Sequence, residues 1–293
     1  MALPSAHDGT AMTGLADSRN GDQGTPPGAP PDAIVDAIAG ADVRRRVRFR
    51  ALFVATWVVI IGGLALSFIA AGSFDVEFLA EWAPFILGAV PLTVFIAISS
   101  IALAIPLAVL GAVGRISVAA PVYALATLYV SLVRGTPLLV QIIFIVLALP
   151  RLVPAVNEIP LLALGVFALA FNYGAYLTEI FRAGIEAVPH GQREAGAALG
   201  MSDRRIMWRI VLPQAIRIVT PAIGNEFIAM IKDSALVSVI GVQELLWRAQ
   251  RVGSANFRSL ETLLLAAAMY WILTSIFSLF QERLEQRMAR SDR

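Results

Sequence analysis

From Trp82 to Gly114 the chain runs for 33 residues without a charged side chain. About 20 apolar residues already cross a bilayer as a helix, so this stretch belongs in a membrane. Pro84, Pro91 and Pro106 fall inside it, so it is expected to be bent and to begin with an interfacial segment. Comparable runs occupy Ala51–Ala71, Val118–Leu149, Ile159–Phe181, Trp208–Ile231 and Thr262–Phe280. Charged residues make up 15% of the chain, against about 25% in soluble domains. The expected fold class is therefore all-α, a polytopic integral membrane protein with six spans.

Arginine sets the expected orientation. Five arginines in Val43–Arg50 precede the first run, and Arg115, Arg182 and the pairs around Arg204 and Arg287 flank later ones. Basic residues favour the inner side, which places both termini in the cytoplasm. Arg248, Arg251 and Arg258 are outer-side exceptions, partly offset by Glu244 and Glu261. Because the arginines flank apolar runs, the basic excess reads as topology and not as nucleic-acid binding. The run Ala51–Ala71 is too long for a signal peptide and has no convincing small-residue cleavage site before the acidic loop that follows. Residues 1–42, with Thr25–Pro31 reading TPPGAPP, are expected to be a disordered cytoplasmic tail holding a short helix at Asp32–Ala39.

Several chemistries are excluded by the residues present. There is no cysteine, and only His7 and His190 among histidines, so no thiol or histidine metal site is expected. No G-x-x-x-x-G-K-[ST] occurs, so the chain should not hold ATP by a P-loop, and no catalytic constellation is visible. The chain itself reads as non-enzymatic.

The polar interruption Pro189–Pro213 has its own helix punctuation. Gln192–Leu199 reads as a short helix with Glu194 in its first turn, where a carboxylate meets the positive end of the helix. Gly200 suits a helix C-terminus, and Ser202 is placed to cap a second helix. Ala195, Ala198 and Leu199 form a small apolar stripe. A helix of that kind, held outside the membrane, fits a groove on another protein.

The order Glu194, Ala195, Gly200, Ile210, Leu212, Pro213 resembles the EAA loop of ABC importer permeases, E-A-A, three residues, G, nine residues, I-x-L-P. Gly196 replaces the second alanine. Ser131–Gln141, Asn172–Ile185 and Gly224–Leu245 are similar to the polar amino acid branch of the same permeases. The resemblance spans about Pro84 to Met288. It implies a five-helix permease core at 82–288 with a coupling loop at 183–209. Residues 43–81 then form an extra first helix and outer loop, and 289–293 a C-terminal tail. It further implies a cytoplasmic ATPase dimer that binds ATP and Mg, a second permease subunit of the same or a related kind, and an extracytoplasmic amino acid binding protein. Arg193, Glu194, Ala195, Gly196, Ala198, Leu199, Gly200, Leu212 and Pro213 would couple to the ATPase, and the substrate would be a polar amino acid.

The substrate path is sought among polar residues inside spans, since charge there lines a cavity or is paired. Arg134 precedes a break made by Gly135 and Pro137. The freed amides after Pro137, with Thr136 and Gln141, suit a carboxylate. Alternatively Arg134 reaches an interface and the break is a packing kink. Asn172, Tyr176 and Glu179, with Tyr173 beside them, make a polar stripe that either lines the pathway or bonds neighbouring helices. Asn225, Glu226, Lys232 and Asp233 are further candidates, though Lys232 and Asp233 could neutralise each other at the outer interface. Lys232–Leu246 reads as a re-entrant or outer-surface segment. The competing function is a secondary transporter of small polar solutes with its own ion coupling. It predicts inverted repeats and leaves the Glu194–Pro213 spacing unexplained.

Overall fold

A computed structural model describes the backbone of residues 31–70 and 74–290, entirely in helices, turns and short connections. The chain divides into two units, one ending at Ala71 and one beginning at Gly72. The first contains α1, Pro31–Ala70, a continuous helix of 40 residues. The short helix expected at Asp32–Ala39 is therefore not separate. Between Pro31 and Gly62 the lone Gly40 is the weakest point, and one glycine costs a helix only about 1 kcal/mol. Residues 1–30 of the expected tail and the tail end 291–293 lie outside the described residues.

The second unit opens with α2, Val76–Leu87, whose Asp75 side chain accepts from the Phe78 amide. A turn at Gly88 and Ala89 leads into α3, Val90–Arg115. The 33-residue run is thus two helices, with Pro91 in the first turn of the second, where its missing N–H costs nothing. Helix α4, Ala120–Arg134, breaks at Gly135–Pro137 and resumes as α5, Leu138–Ile143, a π-helical turn at Phe144–Ala148 and α6, Leu149–Leu152. The two halves meet at 108°. Helix α7 is Leu161–Glu186, followed by α8, His190–Ala198, and α9, Asp203–Ile206. A π-helical turn at Met207–Val211 joins α9 to α10, Leu212–Asp233. Helices α11, Leu245–Asn256, and α12, Ser259–Arg290, complete the unit. Among the described residues four helical stretches are long and apolar enough to cross a membrane, and five if the bent α4–α6 pair counts as one span.

The segment after Lys232 departs from the expected re-entrant or surface piece. Ser234–Ile240 tightens into a 3-10 helix that prolongs α10. Val237 is fully buried and belongs to the core formed by Ile96, Ile142, Leu164 and Leu169. Gly241, at φ 87°, turns the chain away.

Small residues let the central helices approach. Ala97, Ala104 and Ala108 of α3 and Ala170 of α7 are fully buried along one seam. A side chain at Gly174 would come within 2.7 Å of the Tyr129 hydroxyl, and one at Gly111 would collide with Thr178. Such close packing is how helices associate where the solvent is itself apolar.

Candidate functional site

Two regions carry the candidate residues. In the first, α8 begins after Pro189 and ends in a Schellman closure. The Gly200 amide donates to the Ala197 carbonyl at 2.9 Å, and the Met201 amide to the Gly196 carbonyl at 3.1 Å. Gly200 sits at φ 74° with open space where a side chain would be. This is the left-handed position that glycine fills most cheaply. Ser202 occupies the N-cap position of α9 as expected, but its side chain makes no capping hydrogen bond.

Glu194, Ala195, Ala198 and Leu199 all point outward, and Leu199 is 82% exposed. The opposite face is held by this chain. Gly196 is buried, and a Cβ there would lie 2.9 Å from Ile210 Cδ1 and 3.0 Å from Ile206 Cγ1. The replacement of alanine by glycine is therefore matched to Ile206 and Ile210 beneath it, and it does not alter the outward face. Arg193 also turns inward, where its Nη2 donates to the Ile185 carbonyl at the end of α7 at 2.7 Å. Val188, Ile206, Val211 and Ala215 form a small core beneath the loop. The loop is thus fastened to the end of α7 and the start of α10. Leu212 and Pro213 belong to the first turn of α10, Leu212 half-buried and Pro213 exposed.

The second region surrounds the α4–α5 break. Gly135 is needed there, since a Cβ would lie 2.8 Å from the Ser131 carbonyl oxygen. The Gln141 amide nitrogen reaches back to the Val133 carbonyl at 2.7 Å and to Thr136 Oγ1 at 2.8 Å, covering the carbonyl end of α4. Thr136 donates its own hydroxyl to the Leu132 carbonyl at 2.9 Å. Asn172 donates to Gln141 Oε1 at 3.1 Å, and Tyr173 donates its hydroxyl to Asp233 Oδ2 at 2.8 Å. The Arg134 guanidinium lies 5.2 Å from the centre of the Tyr176 ring, a favourable cation–π placement. Glu226 feels the charges of both Asp233 and Arg134. It has no hydrogen-bond or ion-pair partner among the described residues. Arg134, Gln141, Asn172, Tyr173, Tyr176, Glu226 and Asp233 are therefore one cluster.

Three expected members lie elsewhere. Glu179 is held by Arg115 at 3.0 Å and Arg182 at 2.9 Å, and Arg182 reaches on to Glu186 at 2.6 Å. Asn225 accepts from Gln281 of α12 at 2.9 Å. Lys232 is exposed and does not pair with Asp233, whose carboxylate is taken by Tyr173. Adjacent residues on a helix point about 100° apart, so they do not face each other.

Glu244 falls in the Lys232–Leu246 segment expected to be re-entrant or on the outer surface, and the fold buries it completely. Its carboxylate accepts from the Trp247 amide at 2.8 Å and the Leu246 amide at 3.0 Å, starting α11, and meets the Tyr270 hydroxyl. Burial pushes this carboxyl above the usual carboxylate range, against the opposing pull of Tyr270 and the amides. An acid directly before the apolar Leu245 and after a glycine turn was the available signal for an N-cap.

Residues 104–290 match the family described as the binding-protein-dependent transport system inner membrane component. The chain is 36% identical over 218 residues to the probable amino-acid permease protein YxeN of Bacillus subtilis, covering 74% of this chain and 97% of that one. It is 36% identical over 209 residues to the arginine transport system permease protein ArtQ of the same organism, covering 71% and 94%. With the glutamine transport system permease protein GlnP of Escherichia coli the identity is 40% over 163 residues, covering 56% and 74%. Among solved structures, a chain of an amino acid ABC transporter crystallised with histidines superposes with a TM-score of 0.68 at 36% identity, covering 73% of this chain and all of that one. These relatives set aside the secondary-transporter alternative. The helical membrane fold, the spacing from Glu194 to Pro213 and these matches together show that the chain belongs to the family of binding-protein-dependent transport system inner membrane components, the permease subunits of ABC transporters.

Proposed function

We propose that this chain is one transmembrane subunit of an ATP-driven importer for a polar amino acid. A binding protein delivers the solute from outside, and a separate cytoplasmic ATPase dimer, holding ATP and Mg, docks on the 183–209 loop. A second permease subunit completes the translocation unit in the plasma (inner) membrane, with both termini cytoplasmic. The single observation that carries the docking assignment is the outward face of α8, where Glu194, Ala195, Ala198 and Leu199 find no support in their own chain while its other face is closed.

The fastening of the loop suggests how the coupling works. Arg193 ties α8 to α7, and the core around Ile206 and Val211 ties it to α10. Those two helices carry Asn172, Tyr173 and Tyr176, and Glu226 and Asp233. A push on α8 as the ATPases close is thereby delivered to the helices that hold the polar cluster, and the pathway switches sides. The amino-acid substrate is supported by the names of the relatives and by the cluster itself, which offers both signs of charge to a zwitterion. The test is ATP hydrolysis by the reconstituted complex in proteoliposomes. Stimulation by a loaded amino acid binding protein, and not by the empty one, is expected. Hydrolysis indifferent to every amino acid offered would overturn the substrate assignment.

A further inference from the structure

Helices α7 and α10 run side by side, with Gly184 facing Val219 near the 183–209 loop and Gly165 facing Val237 at the far end. Beyond that far end the chain turns into α11, which meets α12 in a corner at Phe257. Phe257 closes α11 at φ 56°, the only non-glycine residue at positive φ among the described residues. Its amide and that of Arg258 both donate to the Gly253 carbonyl, the latter at 2.8 Å. Glycine or asparagine fills such a position most cheaply, and a bulky side chain there is rare. The Phe257 ring is also 97% exposed. The corner around it is held firmly. A Cβ at Gly253 would lie 2.4 Å from Thr262 Oγ1. Arg258 is bound by Asp75 at 3.2 Å and by Glu261 at 3.1 Å, with its guanidinium 5.7 Å from the centre of the Phe78 ring.

The surface behind the ring faces water. The buried side of α11 is apolar, with Leu245, Ala249 and Val252, while its outward side presents Gln250, Arg251, Ser254 and Asn256. A polar helix face of this kind lies against solvent. A lipid-facing ring would continue an apolar face instead. Arg251, six residues before Phe257 and about 9 Å back along the helix, has no hydrogen-bond or ion-pair partner among the described residues. A strained and fully exposed ring gains nothing from its own chain, and such strain is kept where a contact is made with something else. We propose that Phe257 is the anchor on which the extracytoplasmic binding protein docks, its ring entering an apolar pocket of that protein beside an acidic side chain that pairs with Arg251. This rests on the importer reading above, in which the binding protein is the soluble partner that reaches the end of the chain opposite the ATPase. Aromatic anchors set in a partner's pocket carry most of an interface's energy, and a ring already held in place loses little freedom on docking.

The test uses the complete transporter with its ATPase in nanodiscs, titrated with the loaded binding protein that stimulates ATP hydrolysis by the natural chain. Phe257→Gly removes the ring and the backbone strain together. Half-maximal stimulation should then need about 30-fold more binding protein, while the unfolding temperature stays equal or rises. Phe257→Trp keeps an aromatic anchor and should stay within a few-fold of the natural chain. Arg251→Glu should raise the half-maximal concentration several-fold, and its difference from the natural chain should shrink at high salt. An unchanged half-maximal concentration for Phe257→Gly would overturn the proposal and leave the ring to lipid or to a second copy of the chain. A natural chain that no loaded binding protein stimulates would overturn the importer reading itself, and the docking partner with it.

Discussion

The docking loop and the polar cluster treat their side chains in opposite ways. On α8 the backbone is closed within the loop by Gly200 and Met201, while Glu194, Ala195, Ala198 and Leu199 are left without a partner. Around the α4–α5 break almost every polar side chain has one: Gln141 with Asn172, Tyr173 with Asp233, Arg134 with Tyr176. The lesson is that local geometry can be settled where function waits for another protein. Inside a membrane, by contrast, polar groups must first satisfy each other. Glu226, half-buried, is the member of the cluster without a hydrogen-bond partner among the described residues. Substitutions in the two regions should therefore separate docking from stability.

The largest separation is expected from Glu194→Arg combined with Gly200→Asp. No heavy atom lies within 4 Å of a Cβ at Gly200, so the folding cost is only the strain of a positive φ, about 1 kcal/mol. Loss of an interface anchor costs about 2 kcal/mol or more, roughly 30-fold in ATPase affinity, measurable by titrating the ATPase onto the immobilised permease. An equal loss of stability and affinity would break the contrast.

Glu179→Ala should behave in the reverse manner. It leaves Arg115 and Arg182 without their shared carboxylate, at a cost of about 1–3 kcal/mol. Thermal unfolding in detergent should show this, with ATPase binding little changed. Tyr173→Phe should cost about 1–2 kcal/mol because Asp233 loses its hydrogen bond. Uptake into proteoliposomes should fall while the ATPase stays bound. Unchanged uptake would make that bond purely structural.

The pH dependence at Glu244 is a smaller effect. Its carboxyl is raised by burial, so the folded state holds the proton more tightly than the unfolded one. Its contribution is full below the ordinary glutamate value, about 4.3, and is lost as pH rises through the raised folded value. Glu244→Gln should flatten the decline of melting temperature over that window. An unchanged slope would show that the carboxyl titrates normally. The smallest effect is expected for Gly196→Ala. The gain in helix propensity, about 0.5–1 kcal/mol, is opposed by the shift required of the flexible end of Ile210, and ATPase affinity should stay within a few-fold.

Much of this architecture was legible because its signals are local. Apolar runs marked the spans, Gly135 and Pro137 marked the break, and the spacing from Glu194 to Pro213 marked the loop. What escaped depends on partners distant in sequence. Arg115 is 64 residues from Glu179, and no helical periodicity links them. Glu244 read only as an acid offsetting outer-side arginines, because its partners, Tyr270 and the first amides of α11, are brought to it by the fold. Of the two readings open for Lys232 and Asp233, mutual neutralisation fails because adjacent helical side chains point about 100° apart and Asp233 accepts from Tyr173 instead. The inward turn of Arg193 and the fit of Gly196 against Ile206 follow from how α9 folds back beneath α8, which a composition-based reading of the loop does not contain.

The most direct measurement is extraction of the transporter in mild detergent with the cytoplasmic ATPase co-produced, comparing the natural chain with the Glu194→Arg, Gly200→Asp variant. The natural chain should carry the ATPase in stoichiometric amount, and the variant should emerge folded, with a similar unfolding temperature, and free of it. Equal retention of the ATPase by both chains would contradict the assignment of α8 as the docking element.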